Sequence, residues 1–263
     1  MVGNEAGQHR KGNDMTVHFI GAGPGAADLI TLRASRMISQ SPVCLYAGSL
    51  VPAELLTLCP DDAEVIDTAR MSLDEIVEQL IAADAAGLDV ARLHSGDPSI
   101  YSAVAEQVRR LEASGVAYDI VPGVPAFTAA AAALGRELTV PGVSQSIVLT
   151  RVSTLSTAMP PGEDLRSLGR SGATMVVHLG AHRIEQIVEE LSENYGSDCP
   201  AAVVAFASRP DEIVLRGTLA TLADQVHAAG ITKTAVVIVG RVLAAEGFPD
   251  SYLYSASRSR TTH

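Results

Sequence analysis

Apolar and polar positions along this chain follow two alternating rhythms. Val17 to Ile20 is an apolar run of strand length that ends at Gly21. Asp28 to Ser39 carries apolar residues at helical spacing, with Asp28 placed as an N-cap. Val43 to Tyr46 is a second strand, closed by Ala47-Gly48-Ser49, and Val65-Ile66 marks a short third. Ser72 to Ala86 is the clearest amphipathic helix: Ser72 and Glu75 have the capping-box spacing and Gly87 stops the helix. A strand over Val90 to His94, a helix over Ser99 to Ala113 and a strand over Tyr118 to Val121 follow. Strands alternating with helices predict a mostly parallel sheet.

Beyond Pro122 the pattern changes. Phe127 to Leu134 is a short Ala-rich helix, and Gln145 to Thr150 is a strand. Residues 153–172 are rich in Ser, Thr, Pro and Gly and read as a loop with at most a short helix. Strands are predicted at Thr174 to Leu179, Ala201 to Phe206, Ile213 to Gly217 and Thr234 to Val239. Helices are predicted at Arg183 to Tyr195 and Leu219 to Ala229. The fold class is α/β: two α/β domains, the N-terminal one with a mostly parallel sheet and the C-terminal one with a mixed sheet. The expected boundaries are a disordered tail over 1–14, domains over 15–122 and 123–250, and a loose tail over 251–263. The join lies near Pro122 to Phe127, and no internal repeat stands out.

Composition narrows the class. The chain has 263 residues, 47% hydrophobic and 19% charged, as a folded globular protein should. No uncharged apolar stretch reaches the roughly 18 residues of a membrane span. Met1 to Asp14 lack the apolar core of a signal peptide. Cys44, Cys59 and Cys199 are widely spaced and form no CxxC, so neither a zinc site nor a disulfide framework is expected, and a reducing cytoplasm fits. The net charge of −11 disfavours nucleic acid and anionic lipid as partners. Only Lys11 and Lys233 are lysines, so an anionic substrate would have to be held by arginine, whose planar fork suits carboxylates.

Three loops carry the candidate chemistry. Gly21, Gly23 and Ala26 fit the dinucleotide fingerprint G-x-G-x-x-G/A, in which backbone N–H groups at a helix start cradle a pyrophosphate. Against that reading, Pro24 removes a donor, and Tyr46-Ala47-Gly48 stands where an acidic residue would hold the ribose. The plain alternative is a tight strand-to-helix turn. Ser95-Gly96-Asp97-Pro98 ends a strand at the edge where open α/β sheets bind ligands. A carboxylate at Asp97 suits a cation or hydroxyls, or else it caps the helix expected from Ser99. Pro122 to Ala129 is either a rigid linker or one wall of a ligand cleft, with Thr128 as a hydrogen-bonding group. His178 and His182 are four apart with Gly180 between them and read as structural, as does His94 at a strand end.

Together GAGPGAADLIT, SGDPSIY and PGVPAFTAA resemble the tetrapyrrole methylase superfamily, the class III S-adenosylmethionine-dependent methyltransferases, over about Val17 to Gly247. Tyr46-Ala47-Gly48-Ser49-Leu50-Val51 is similar to the subgroup that methylates carbon 11 of precorrin-4 in corrin-ring synthesis. Leu138 to Pro141, Gln145, Thr150-Arg151, Met159 to Glu163 and Pro200 to Val204 point the same way. Ala26, where the family usually has Asp, and Pro125-Ala126, in place of Ser-Ser, depart from the pattern.

The resemblance implies an interdomain cofactor cleft that holds S-adenosyl-L-methionine, with S-adenosyl-L-homocysteine as product. Its cofactor contacts would be Pro24, Ser95, Gly96, Asp97, Ile100, Tyr101, Thr128, Ala129, Leu179, Ala202, Thr234 and Ala235. No catalytic nucleophile and no metal are expected. Arg151 is the first candidate for binding the carboxylates of a tetrapyrrole substrate, ahead of Arg33, Arg92 and Arg109. A homodimer is implied by resemblance alone. The competing readings are a relative acting on cobalt-precorrin-4 or another precorrin carbon, a nicotinamide dehydrogenase, and a non-catalytic tetrapyrrole carrier.

Overall fold

The computed structural model describes residues 16–153 and 158–251. The expectations for both tails lie outside the described residues, apart from Ser251. The chain divides into two compact units, Met1–Ala126 and Phe127–His263.

The first unit holds a sheet of β1 (Val17–Gly21), β2 (Val43–Tyr46), β3 (Glu64–Asp67), β4 (Val90–His94) and β5 (Tyr118–Val121), in the order β3-β2-β4-β1-β5. Every pairing in it is parallel. Alternation along each strand sends side chains to both faces. Phe19, Val43, Leu45 and Val90 pack on one face against Ile76 and Leu80 of α3 (Leu73–Ala85) and Leu111 of α4 (Val104–Ser114). Ile20, Cys44, Ala91 and Leu93 pack on the other against Ala34 and Ile38 of α1 (Leu32–Gln40) and Leu55 of α2 (Ala53–Leu56). Each large side chain fully buried here contributes about 1.5–3 kcal/mol. β1 and β4 are neighbours, yet the chain leaves β1 toward β2 and leaves β4 toward β5, in opposite directions across the sheet. Such a switch point opens a crevice at the strands' carboxyl ends.

Two helix starts differ from the sequence expectation. Asp28 falls in a 3-10 turn, Ala27–Leu29, while Thr31 caps α1 by accepting from the Ala34 N–H at 3.2 Å. The helix expected from Ser99 begins at Val104, because Tyr101 and Ala103 hold φ of 53° and 50°. Those are left-handed values no right-handed helix can contain. The four-residue α2 is too short to show a period. The capping box of Ser72 and Glu75 forms as expected.

The boundary falls at the first residue of α5 (Ala126–Leu134), whose remaining residues open the second unit. That unit builds a sheet of β6 (Ile147–Arg151), β7 (Thr174–His178), β8 (Pro200–Ala205), β9 (Ile213–Thr218) and β10 (Ala235–Val239), ordered β6-β7-β10-β8-β9. β6 and β7 are parallel and the other pairs antiparallel, the expected mixed sheet. Its core buries Met175, Val177, Val203 and Val237 under α6 (Leu165–Gly169), α7 (Ile184–Tyr195) and α8 (Leu219–Ala228). Within the Ser/Thr/Pro loop, Asp164 caps α6, and residues 154–157 lie outside the described ones.

Candidate functional site

At the switch point of the first unit three glycine-bearing loops are stitched together. The Ala22 N–H donates to the His94 carbonyl at 2.7 Å. Gly23 and Gly96 exchange both backbone hydrogen bonds, at 3.2 and 2.7 Å. The Gly123 N–H donates to Asp97 Oδ2 at 2.8 Å. The contacts are too close for any Cβ: one on Gly123 would lie 2.2 Å from the Gly96 oxygen, and one on Gly21 would lie 2.5 Å from Gly123 Cα. These glycines are therefore required by packing.

This stitching decides between the readings of the first loop. Backbone donors that a pyrophosphate would need, Ala22 and Gly23, already serve protein carbonyls, and Pro24 has none. The helix that follows starts at Leu32, with its Ala34 N–H satisfied by Thr31. The loop is thus a poor phosphate cradle, against the dehydrogenase reading.

Asp97 does not cap α4, which starts seven residues later. Its Oδ1 accepts from the Ser99 N–H at 2.8 Å and from the Ser99 hydroxyl, and its Oδ2 ties down Gly123. Partial burial pushes its pKa up, but the hydrogen bonds from Ser99 and Gly123 outweigh this and hold the carboxyl below its ordinary value. The carboxylate stays ionised and braces the loop floor.

Behind this floor lies a buried polar cluster. Arg92, expected at a cleft mouth or on the surface, is only 4% exposed, because its β4 position points into the layer under α4. It donates from Nε to Gln107 Oε1 at 3.3 Å and from Nη1 to Thr68 Oγ1 at 2.9 Å. Burial lowers its pKa to about 10. His94 is 6% exposed, beside the Phe19 ring with centroids 5.8 Å apart. Burial first, then the nearby Arg92 charge, lowers its pKa to about 3.

In the second unit several predicted residues meet at one end of the sheet. Arg151 and His178 are paired at the ends of β6 and β7. Leu179 follows β7, Thr234 precedes β10, and Ala235 pairs with Ala205 at the end of β8. Phe127 meets His178 edge-on, so the start of α5, with Thr128 and Ala129, lies at this end too. Leu179, Thr234 and Phe206 share a φ of 53° at the ends of three adjacent strands, and the Phe206 N–H donates to the Thr234 carbonyl at 2.9 Å. Strained backbone concentrates at functional sites, so Phe206 joins the candidates. Sequence gave no hint of it, because phenylalanine carries no left-handed preference. Ala202, opposite Ile238 in the middle of β8, lies buried away from this end.

Arg151 binds its own neighbourhood. Its Nη1 donates to the Val152 carbonyl at 3.0 Å, and it lines a cavity of about 240 Å³ with Ser153, Met159, Asp164 and Glu190. Arg33 and Arg109 lie exposed on α1 and α4. Among the described residues no group of three or more His, Cys, Asp or Glu side chains is arranged to hold a metal. Among them also, no helix is long and apolar enough to cross a membrane.

The chain matches the family described as Tetrapyrrole (Corrin/Porphyrin) Methylases over residues 16–223. It is 86% identical over 249 residues to the Precorrin-4 C(11)-methyltransferase of Rhodococcus erythropolis, covering 95% of this chain and 100% of that one. The solved structure of a cobalt precorrin-4 methyltransferase, a cobalamin biosynthetic enzyme, is similar at a TM-score of 0.86 and 37% identity, covering 90% of this chain and 99% of that one. A uroporphyrin-III C-methyl transferase from Thermus thermophilus, solved with S-adenyl homocysteine, is similar at a TM-score of 0.74 and 30% identity, covering 87% and 99%. The stitched glycine loops, the parallel and mixed sheets and these likenesses agree: this chain belongs to the tetrapyrrole methylase family.

Proposed function

We propose that this chain is an S-adenosyl-L-methionine-dependent C-methyltransferase that methylates carbon 11 of precorrin-4, giving precorrin-5 and S-adenosyl-L-homocysteine in corrin-ring synthesis. The near-complete likeness to the Rhodococcus erythropolis protein carries the choice of acceptor and carbon. The occupied backbone donors of the first loop argue against a pyrophosphate-bearing cofactor.

When bound, the cofactor supplies a methyl group already activated by a positively charged sulfur. This chain's residues then need to bind and orient rather than attack, and positioning of this kind can supply several kcal/mol of the barrier. The proposed cofactor contacts on the first unit are Pro24, Ser95, Gly96, Asp97, Ile100 and Tyr101. On the second they are Thr128, Ala129, Leu179, Thr234 and Ala235, with Phe206 added. Ala202 contributes through the strand that sets this end. Arg151 is proposed to hold a substrate carboxylate, for which its fork is suited. We also propose that the enzyme works in the cytoplasm as a homodimer.

The likeness to the cobalt precorrin-4 methyltransferase favours a second acceptor, the cobalt form of the same ring. Incubation of the purified protein with S-adenosylmethionine and either precorrin-4 or cobalt-precorrin-4 tests both. A mass gain of one methyl group, matched one to one by S-adenosylhomocysteine, supports the proposal and identifies the acceptor. Binding of the cofactor without transfer to either would overturn the acceptor assignment.

A further inference from the structure

The strained turn after β4 is held from beneath by side chains that the proposed chemistry does not use. Its residues Tyr101 and Ala103 have φ of 53° and 50°, and neither is a glycine. Such conformations cost about 1–3 kcal/mol each and persist only where their surroundings enforce them. One carbonyl of this turn, that of Ala103, is gripped by a buried side chain. Gln107, itself 3% exposed, donates from Nε2 to the Ala103 carbonyl at 3.0 Å. Gln107 is oriented in turn by the Arg92 Nε–H on its Oε1.

The grip extends to the neighbouring loop. Arg92 also donates to Thr68 Oγ1 at 2.9 Å, and Thr68 donates to the Tyr46 carbonyl at 2.9 Å, where the Tyr46-Ala47-Gly48 segment leaves the sheet. Among the described residues Arg92 has no carboxylate within ion-pair distance. A buried guanidinium without a counter-ion is a poor stabilising device. Its five donors in a rigid fork nevertheless make it a good jig for fixing neighbours.

We propose that Arg92 and Gln107 form a buried positioning unit that holds the Ile100–Ala103 turn in its left-handed shape and so presets that turn for the cofactor. The proposal rests on the cofactor assignment made above, and its test separates the two. Gln107→Glu keeps an acceptor for Arg92, and gives it a counter-ion, but removes the donor to Ala103. Gln107→Met removes both the donor and the acceptor at similar size. Amide hydrogen exchange of the peptide spanning 97–103, measured on ligand-free protein, reads the turn directly. Calorimetric binding of S-adenosylhomocysteine reads its consequence.

For Gln107→Glu the proposal expects exchange in 97–103 at least tenfold faster and affinity at least tenfold weaker, with a melting temperature no lower than wild type. Gln107→Met should show the same two changes. A merely structural role would instead move the melting temperature of every variant together. Wild-type exchange and affinity in Gln107→Glu would overturn the positioning unit even if Gln107→Met fails to fold. Failure of the wild-type protein itself to bind S-adenosylhomocysteine would instead defeat the cofactor assignment, leaving the exchange data to decide on the turn alone.

Discussion

Replacing Gly123 by alanine is the sharpest single perturbation of the loop floor. Gly123 is not among the residues with positive φ, so alanine suffers no conformational penalty there. On chain entropy alone the change should stabilise by about 0.4–1 kcal/mol. Packing reverses the sign. The new Cβ would stand 2.2 Å from the Gly96 oxygen and 2.7 Å from Gly21 Cα. All these neighbours are backbone, so relief requires loops to part by about 1 Å, and overpacking of this kind costs about 1–3 kcal/mol. Parting them also strains the Gly123 N–H bond to the Asp97 carboxylate, worth about 1.5–3 kcal/mol as a bond to a charged group. Net of the entropy gain, the sum is about 1.5–5.5 kcal/mol, a drop on the order of 3–20 °C in melting temperature. Gly135→Ala is the control. Gly135 has a φ of +57° but nothing within 4 Å of a built Cβ, so alanine there should cost about 1–2 kcal/mol and leave binding alone. Calorimetric melting and S-adenosylhomocysteine titration of both variants provide the assay. A Gly123→Ala protein as stable as wild type, with unchanged affinity, would refute the stitched-loop account.

Other outcomes follow from the same structure. Asp97 has its pKa lowered, so its contribution is present above the ordinary carboxylate pKa and is lost as the pH falls through the depressed value. The melting temperatures of wild type and Asp97→Asn should therefore differ at pH 7 and converge in strong acid, and a constant gap would contradict this. His94, with a pKa lowered to about 3, stays neutral when folded but takes a proton when unfolded. Its contribution is full above about pH 6.5 and fades as the pH falls toward 3. Nitrogen NMR should accordingly show no titration of this ring between pH 5 and 8, and a midpoint near 6.5 would contradict its buried setting. Ser72→Ala removes the cap of α3 and should cost about 1 kcal/mol without altering cofactor affinity, which melting and titration together check.

Much of this was legible in the sequence because glycine and capping residues state backbone requirements outright. The strand before each glycine loop, the capping box at Ser72 and the change from parallel to mixed sheet all follow from residues whose local preference agrees with the fold. What escaped was set by tertiary context. Asp28 and Thr31 are both good caps, and only the extended backbone at Ile30 and Thr31 selects the second. Ala103 and Phe206 have no preference for the left-handed region, so the late start of α4 and the strained sheet end were invisible. Arg92 reads as a surface residue by type, and its burial follows from facing α4 with Gln107 and Thr68 as partners. Ala202 and Ala205 sit in one alanine- and valine-rich strand, and only the register with β10 shows which lies at the end.

The central claim is methyl transfer to carbon 11. The direct measurement is carbon NMR of the product formed from precorrin-4 and S-adenosylmethionine labelled in its methyl carbon. One new enriched methyl on carbon 11, appearing only with the protein present, is the predicted result. A label on any other ring carbon, or none on the ring while S-adenosylhomocysteine binds tightly, would contradict it.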